Sequence, residues 1–213
     1  MEWMKLPLGP IQTNCYIIMN EDRQCLIVDP GADGMLINDR IEKHSLKPAA
    51  IVLTHAHFDH IGGVDEVRKR WDIPLFVHER EAEWLHSPEL NGSAHFPLGN
   101  ISVTRPADEL IKSEGTLQVK GFPFSILETP GHSPGSISLY DQKTGAVFAG
   151  DTLFAGSIGR TDLAGGNHSQ LLGSIHRKLL ALPEDTKVLP GHGVATTIGD
   201  EMDTNPFLNG FGQ

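Results

Sequence analysis

The order of apolar runs along the chain predicts an α/β domain in which two β-sheets pack face to face with helices on the outside. Two observations carry that expectation. Short runs rich in β-branched and aromatic residues recur in both halves of the sequence, interrupted by stretches of helical periodicity. Several of those runs also end in polar loops containing glycine, and functional groups gather where strand ends deliver such loops to one sheet edge. With 213 residues, 39% hydrophobic and 21% charged, the chain suits a single domain over residues 1–213 with a substantial core.

The first strands are expected over residues 15–20 and 24–29, joined as a hairpin through Glu21-Asp22-Arg23, with Asp29-Pro30-Gly31 ending the second. Met35, Leu36 and Ile41 are spaced for an amphipathic helix over 35–44, and Pro48 lies beyond its end. A strand over 50–53 leads into a histidine-rich loop, followed by a helix over 64–71 and a strand over 74–77. The short helical pattern at 79–85 carries Glu79, Glu81 and Glu83, which reads as a solvated acidic face. Residues 87–109 hold Pro88, Gly92, Pro97, Gly99 and Pro106 and read as a long loop, either functional or a plain surface excursion. Further strands are expected over 117–120, 124–127, 136–140 and 146–149, then a helix over 168–182 and a short strand over 187–189. Trp3, Trp71 and Trp84 read as packing residues.

A formal net charge of −10 opposes a phosphate backbone as the main partner, which needs a cationic surface. The start of the chain lacks the cationic and apolar segments of a signal peptide, and no apolar run approaches the ~20 residues that span a bilayer. The expectation is therefore a cytoplasmic protein engaging neither nucleic acid nor membrane. Cys15 and Cys25, the only two cysteines, lie in strand-like runs far from the histidines and are expected to be buried free thiols.

The chemistry concentrates in Thr54-His55-Ala56-His57-Phe58-Asp59-His60, directly after Ala50-Ile51-Val52-Leu53. Neutral imidazole and carboxylate are the usual protein ligands for zinc and similar divalent metals. His55 and His57 are two apart, which suits an irregular loop at a strand end better than a helix. Four other segments repeat the pattern of an apolar strand followed by a ligand-bearing loop: Asp29, His132 in Thr129-Pro130-Gly131-His132, Asp151 in Gly150-Asp151-Thr152, and His192 in Pro190-Gly191-His192-Gly193.

In this order the motifs resemble the metallo-β-lactamase superfamily, from about residue 12 to residue 206, and within it the glyoxalase II (hydroxyacylglutathione hydrolase) branch. Supporting features are Gly131-His132-Ser133-Pro134-Gly135-Ser136, Gly150-Asp151-Thr152-Leu153-Phe154 and the stretch from Thr196 to Glu201 with Asn205-Pro206-Phe207. The resemblance implies a four-layer αββα sandwich with two divalent metal ions at one sheet edge, zinc first, with iron and manganese as alternatives. It implies that His55, His57 and His132 hold one metal, that Asp59, His60 and His192 hold the second, and that Asp151 bridges them. Asp29 reads as a supporting anchor or turn-former. The implied reaction is hydrolysis of a small-molecule thioester, with Asp59 orienting the nucleophile. Arg160 stands where the family carries a basic residue for the thiol-bearing peptide, and the alternative is a loop salt bridge with Asp162. His95, in the long loop, is a second candidate for substrate contact. The chain resembles a short form without the further helical domain of the standard enzymes, so the thiol carrier stays open. A mononuclear iron persulfide dioxygenase shares Gly159-Arg160-Thr161-Asp162, and a lactonase or β-lactamase is the remaining hydrolytic alternative.

Overall fold

The computed structural model describes residues 1–97 and 99–209. Residue 98 of the expected long loop and the last residues of the expected domain lie outside the described residues. The chain divides into two compact units, one formed by Met1–Lys112 with Gln118–Pro123, the other by Ser113–Leu117 with residue 124 onward.

The first unit is built on a six-stranded sheet ordered β1-β2-β3-β4-β5-β6. Its strands are β1 (Glu2–Leu8), β2 (Thr13–Met19), β3 (Gln24–Val28), β4 (Lys47–Val52), β5 (Leu75–His78) and β6 (Glu109–Ile111). The expected hairpin is β2 with β3, in antiparallel register with Ile17 opposite Ile27. β1 was not legible, since its sequence carries Pro7 and Lys5. It sits at the sheet edge, where a missing N–H costs no ladder bond, and pairs Pro7 with Asn14. From β3 through β6 the neighbours run parallel, so β3 and β4 deliver their following loops to the same sheet edge.

The helices of this unit are α1 (Gly34–Lys43), the single turn α2 (Phe58–Ile61) and α3 (Val64–Trp71). Ile37 and Ile41 of α1 join Val64 and Val67 of α3, Cys15, Ile17, Cys25, Ile27, Ile51 and Leu53 in one buried core. Of the three residues expected on the apolar face of α1, Ile41 is buried in the core and the other two are not. Met35 is 70% exposed and Leu36 39%, because the spacing of four from Ile37 to Ile41 meets the sheet. On the opposite pleat Tyr16, Ile18, Leu26 and Val28 are buried as well, which explains why these strands read as continuous apolar runs.

The second unit has a six-stranded sheet ordered β14-β13-β10-β9-β8-β7. The strands are β7 (Gly115–Thr116), β8 (Ser125–Glu128), β9 (Ile137–Asp141), β10 (Ala146–Gly150), β13 (Lys187–Pro190) and β14 (Thr196–Thr197), with a two-stranded ribbon of β11 (Leu153–Phe154) and β12 (Ser157–Ile158). β8 and β10 are each antiparallel to β9, and β13 is parallel to β10. The C-terminal ends of β8, β10 and β13 therefore lie at one edge of this sheet. Leu171 of α4 (His168–Ser174) and Ile198 of α5 (Ile198–Thr204) pack with Val147, Ala149 and Val188.

Two expectations need correction in this half. Residues 117–120 are not a strand, because the chain turns there, with Phe122 N–H donating to Val119 C=O and Gly121 at φ +87°. The helix expected over 168–182 is α-helical only to Ser174 and continues as a π-helical stretch over Ile175–Leu179, where Leu180 N–H reaches back to Ile175 C=O. Both cysteines are free and buried. Burial raises the thiol pKa of each, Cys25 to about 12, so neither is a ready thiolate. Among the described residues no helix is long and apolar enough to cross a membrane.

Candidate metal centre

In the first unit the ligand-type residues follow the parallel strands β3 and β4. Asp29 ends β3 in the left-handed region, at φ +50°, a conformation that Asp tolerates better than most residues. Its carboxylate ties the next loop in place. Thr54 N–H donates to Oδ1 at 2.7 Å, Thr54 Oγ1 donates to Oδ2 at 2.6 Å, and His60 Nδ1 lies 3.0 Å from Oδ2. Asp29 is thus the anchor that the sequence pointed to, and the turn-former as well. His55 and His57 lie in irregular loop, as expected, whereas Asp59 and His60 sit on the helical turn α2.

The hydrogen bonds decide which ring nitrogen faces outward. A carboxylate only accepts, so the His60 proton is on Nδ1. Thr54 Oγ1 gives its one proton to Asp29 and can only accept from His55 Nδ1, 3.1 Å away. Both rings therefore offer a lone pair at Nε2, the arrangement that metal-ligating histidines adopt. The rings of His55 and His60 are 4.0 Å apart and those of His55 and His57 4.8 Å. Asp59 Oδ2 is 3.5 Å from His60 Nε2 and accepts from Thr13 Oγ1 at 2.9 Å.

Glycine lets the two loops meet backbone to backbone. A Cβ on Gly31 would lie 1.8 Å from Asp59 C=O, and one on Gly62 would lie 2.5 Å from Gly31 C=O. Glu81 is fully buried and accepts from Ala56 N–H at 2.6 Å, between the two loop histidines. That overturns the reading of the whole acidic stretch as solvated. Glu79 and Glu83 are exposed, but the 3₁₀ turn Glu79–Glu81 rotates Glu81 inward.

In the second unit His132, Asp151 and His192 follow β8, β10 and β13 at the common sheet edge. Asp151 Oδ2 is 3.6 Å from His132 Nε2 and 3.4 Å from His192 Nε2. His132 Nδ1 donates to Arg160 C=O at 2.8 Å, which again leaves Nε2 as the lone-pair atom. The sequence points to Arg160 through its side chain, whereas the structure uses its backbone carbonyl. The guanidinium forms a two-point pair with Asp162, at 2.7 Å for both bonds, and holds that carboxyl down at a pKa of about 2. The loop salt bridge is the arrangement present. His95 ends a 3₁₀ turn, Ser93–His95, and is exposed.

Behind this loop stands a strut that single motifs did not reveal. Glu201 is 2% exposed and accepts from Gly156 N–H at 2.9 Å, Thr196 Oγ1 at 2.6 Å and Asn205 Nδ2 at 2.7 Å. Asn205 Nδ2 also donates to Ser157 C=O at 3.0 Å, so both residues brace the ribbon that leads to Gly159 and Arg160. Glu201→Ala leaves several buried donors unsatisfied, and the expected cost is about 2–4 kcal/mol, read as a lower urea midpoint at unchanged m.

The donor set fits divalent metal. It combines Nε2 atoms fixed from behind at His55, His60 and His132 with carboxylates, the chemistry that zinc, iron and manganese share. Asp29→Asn removes the carboxylate behind His60 and Thr54, and metal affinity by competition with a chelator is expected to fall about 10–100-fold.

The family model described as the metallo-beta-lactamase superfamily matches residues 8–192. The chain belongs to that superfamily. Its fold is accordingly the mixed α/β fold of this family, with two β-sheets and helices. A probable metallo-hydrolase, YqgX, of Bacillus subtilis is 55% identical over 212 residues, covering 99% of both chains. The hydroxyacylglutathione hydrolase GloC of Haemophilus influenzae is 36% identical over 205 residues, covering 96% of both. Among solved structures, the BLEG-1 B3 metallo-beta-lactamase superposes with a TM-score of 0.96 at 52% identity, over 98% of this chain and 100% of the other. TTHA1623 in a di-iron-bound form superposes with a TM-score of 0.84 at 37% identity, over 96% and 100%. The chain is thus a metallo-hydrolase superfamily member whose His and Asp groups imply divalent metal ions.

Proposed function

We propose that the chain is a dinuclear metal-dependent hydrolase that cleaves the thioester of a small-thiol carrier, of the kind in an S-2-hydroxyacyl-glutathione. In this reading His55, His57 and His132 hold one metal, Asp59, His60 and His192 hold the second, and Asp151 is shared. The observation that carries it is Asp151 Oδ2 lying within 3.6 Å of His132 Nε2 and 3.4 Å of His192 Nε2, so that one carboxylate adjoins a ligand of each metal. Divalent ions held there would supply a water activated near neutral pH and a Lewis acid for the carbonyl.

The chain's own residues do the remaining work. Asp59, fixed at Oδ2 by the Thr13 hydroxyl, orients the nucleophile. Asp29 and Thr54 keep the protons of His60 and His55 on Nδ1. A thiolate leaving group, whose thiol has a pKa of about 8.5, departs without a dedicated acid, and the ligand set holds no spare one. The likeness to GloC supports the thioester, while the likeness to BLEG-1 favours a β-lactam as the second reading.

A panel on protein of measured metal content separates them: S-lactoylglutathione, other small-thiol thioesters, a cephalosporin, and glutathione persulfide with oxygen uptake recorded. Thioester turnover well above that of the lactam is the expected result. A flat zero across the thioesters ends the proposal, and oxygen uptake would move the reading to an iron dioxygenase.

A further inference from the structure

The turn joining β1 to β2, the loop after β3 and the long loop before β6 enclose a cleft of about 180 Å³ beside Asp59. Leu8, Ile11, Phe58 and Ile101 give it apolar walls, and Thr13 and Asp59 contribute its polar groups. The far wall is held in advance. Asn91, fully buried, donates to Ile101 C=O at 2.9 Å and accepts at its own C=O from Phe58 N–H at 3.0 Å. Phe58 also stacks against Phe96 with ring centroids 4.9 Å apart. The long loop is therefore pinned to the turn that carries Asp59 and His60.

We propose that this cleft receives the side chain of a short aliphatic acyl group, so that the preferred substrates are thioesters of small aliphatic acids. The proposal rests on the thioester-hydrolase reading and adds the identity of the acyl part. Three observations select that occupant. The walls are apolar, the cleft is smaller than the ~300 Å³ at which sites for larger ligands begin, and among the described residues its lining holds no cationic side chain. Asp59 is 15% exposed where His60 is fully buried, so a chain seated in the cleft ends at a group the reaction uses.

The test compares acetyl, butyryl, isovaleryl and lactoyl esters of one thiol on metal-loaded protein, in the wild type and in Ile11→Asp. Ile11 is 39% exposed, so the variant is expected to fold. Each buried methylene is worth about fourfold, and the isovaleryl-to-acetyl ratio of kcat/KM is expected to reach about tenfold or more. Ile11→Asp should collapse that ratio toward one. A second readout needs no turnover: in isoleucine-methyl-labelled protein titrated with isovaleramide, Ile11 and Ile101 should shift and Ile175 should not. Equal kcat/KM for the acetyl and isovaleryl esters, a ratio that survives Ile11→Asp, or unmoved Ile11 and Ile101 methyls each overturn the cleft. Shifted methyls without turnover of any thioester overturn the hydrolase reading instead and uphold the cleft as an aliphatic site.

Discussion

If the proposed two-metal site holds, Asp151→Asn is expected to lower bound metal from about two equivalents to about one or fewer and to cut kcat by about 10³-fold or more. Divalent cations set side by side repel each other, and the carboxylates between and around them offset that repulsion. Asp151 adjoins both His132 and His192, so its charge serves two ligands at once, whereas an amide of the same shape supplies a dipole only. The metal-free protein should keep its urea midpoint, because Asn fills the same volume and relieves a buried charge. The loss is then assignable to metal and not to folding. His55→Ala should lose metal and turnover likewise, with an added loss of stability because it removes a buried ring. Full metal content with full turnover in either variant, by elemental analysis and initial rates, would sink the assignment.

Local pattern carried most of what could be read from the sequence. The antiparallel pair β2 and β3, the helix α3 and the strands β8, β9, β10 and β13 were legible because an apolar run or a 3.6-residue period marks them directly. β1 was hidden by Pro7 and Lys5, which are signs of an edge strand only once the sheet is known. The exposure of Met35 and Leu36 has the same origin, since they are as apolar as Ile37 and only the sheet decides between them.

The candidate ligands were visible because histidine and aspartate at strand ends announce themselves. The groups that aim them were not. Glu81 looks like its exposed neighbours Glu79 and Glu83 until the 3₁₀ turn is seen. Arg160 acts on His132 through a carbonyl, which every residue has, so no side-chain pattern could point to it. Thr13 meets Asp59 across 46 positions of sequence, a contact that chain topology alone creates.

Gly159→Ala is expected to disturb the candidate ligands His132 and Asp151. A Cβ there would lie 1.9 Å from Asp151 C=O and 3.2 Å from His132 Cβ. Backbone cannot rotate aside as a side chain can, so the 157–160 segment must move, and with it the Arg160 carbonyl that orients His132. Overpacking of this kind costs about 1–3 kcal/mol, and at about 2–4 °C per kcal/mol for a chain of this size Tm should drop by roughly 2–12 °C. Metal affinity should fall with it. Gly156→Ala separates the two effects, because it lies in the same ribbon at φ +67° with nothing within 4 Å of its Cβ. It should lose about 1–2 kcal/mol from left-handed strain alone while keeping its metal. Equal metal content in the two variants would mean that the contact between Gly159 and Asp151 does not hold the ligands, and the strut through Glu201 and Asn205 would then have to do so.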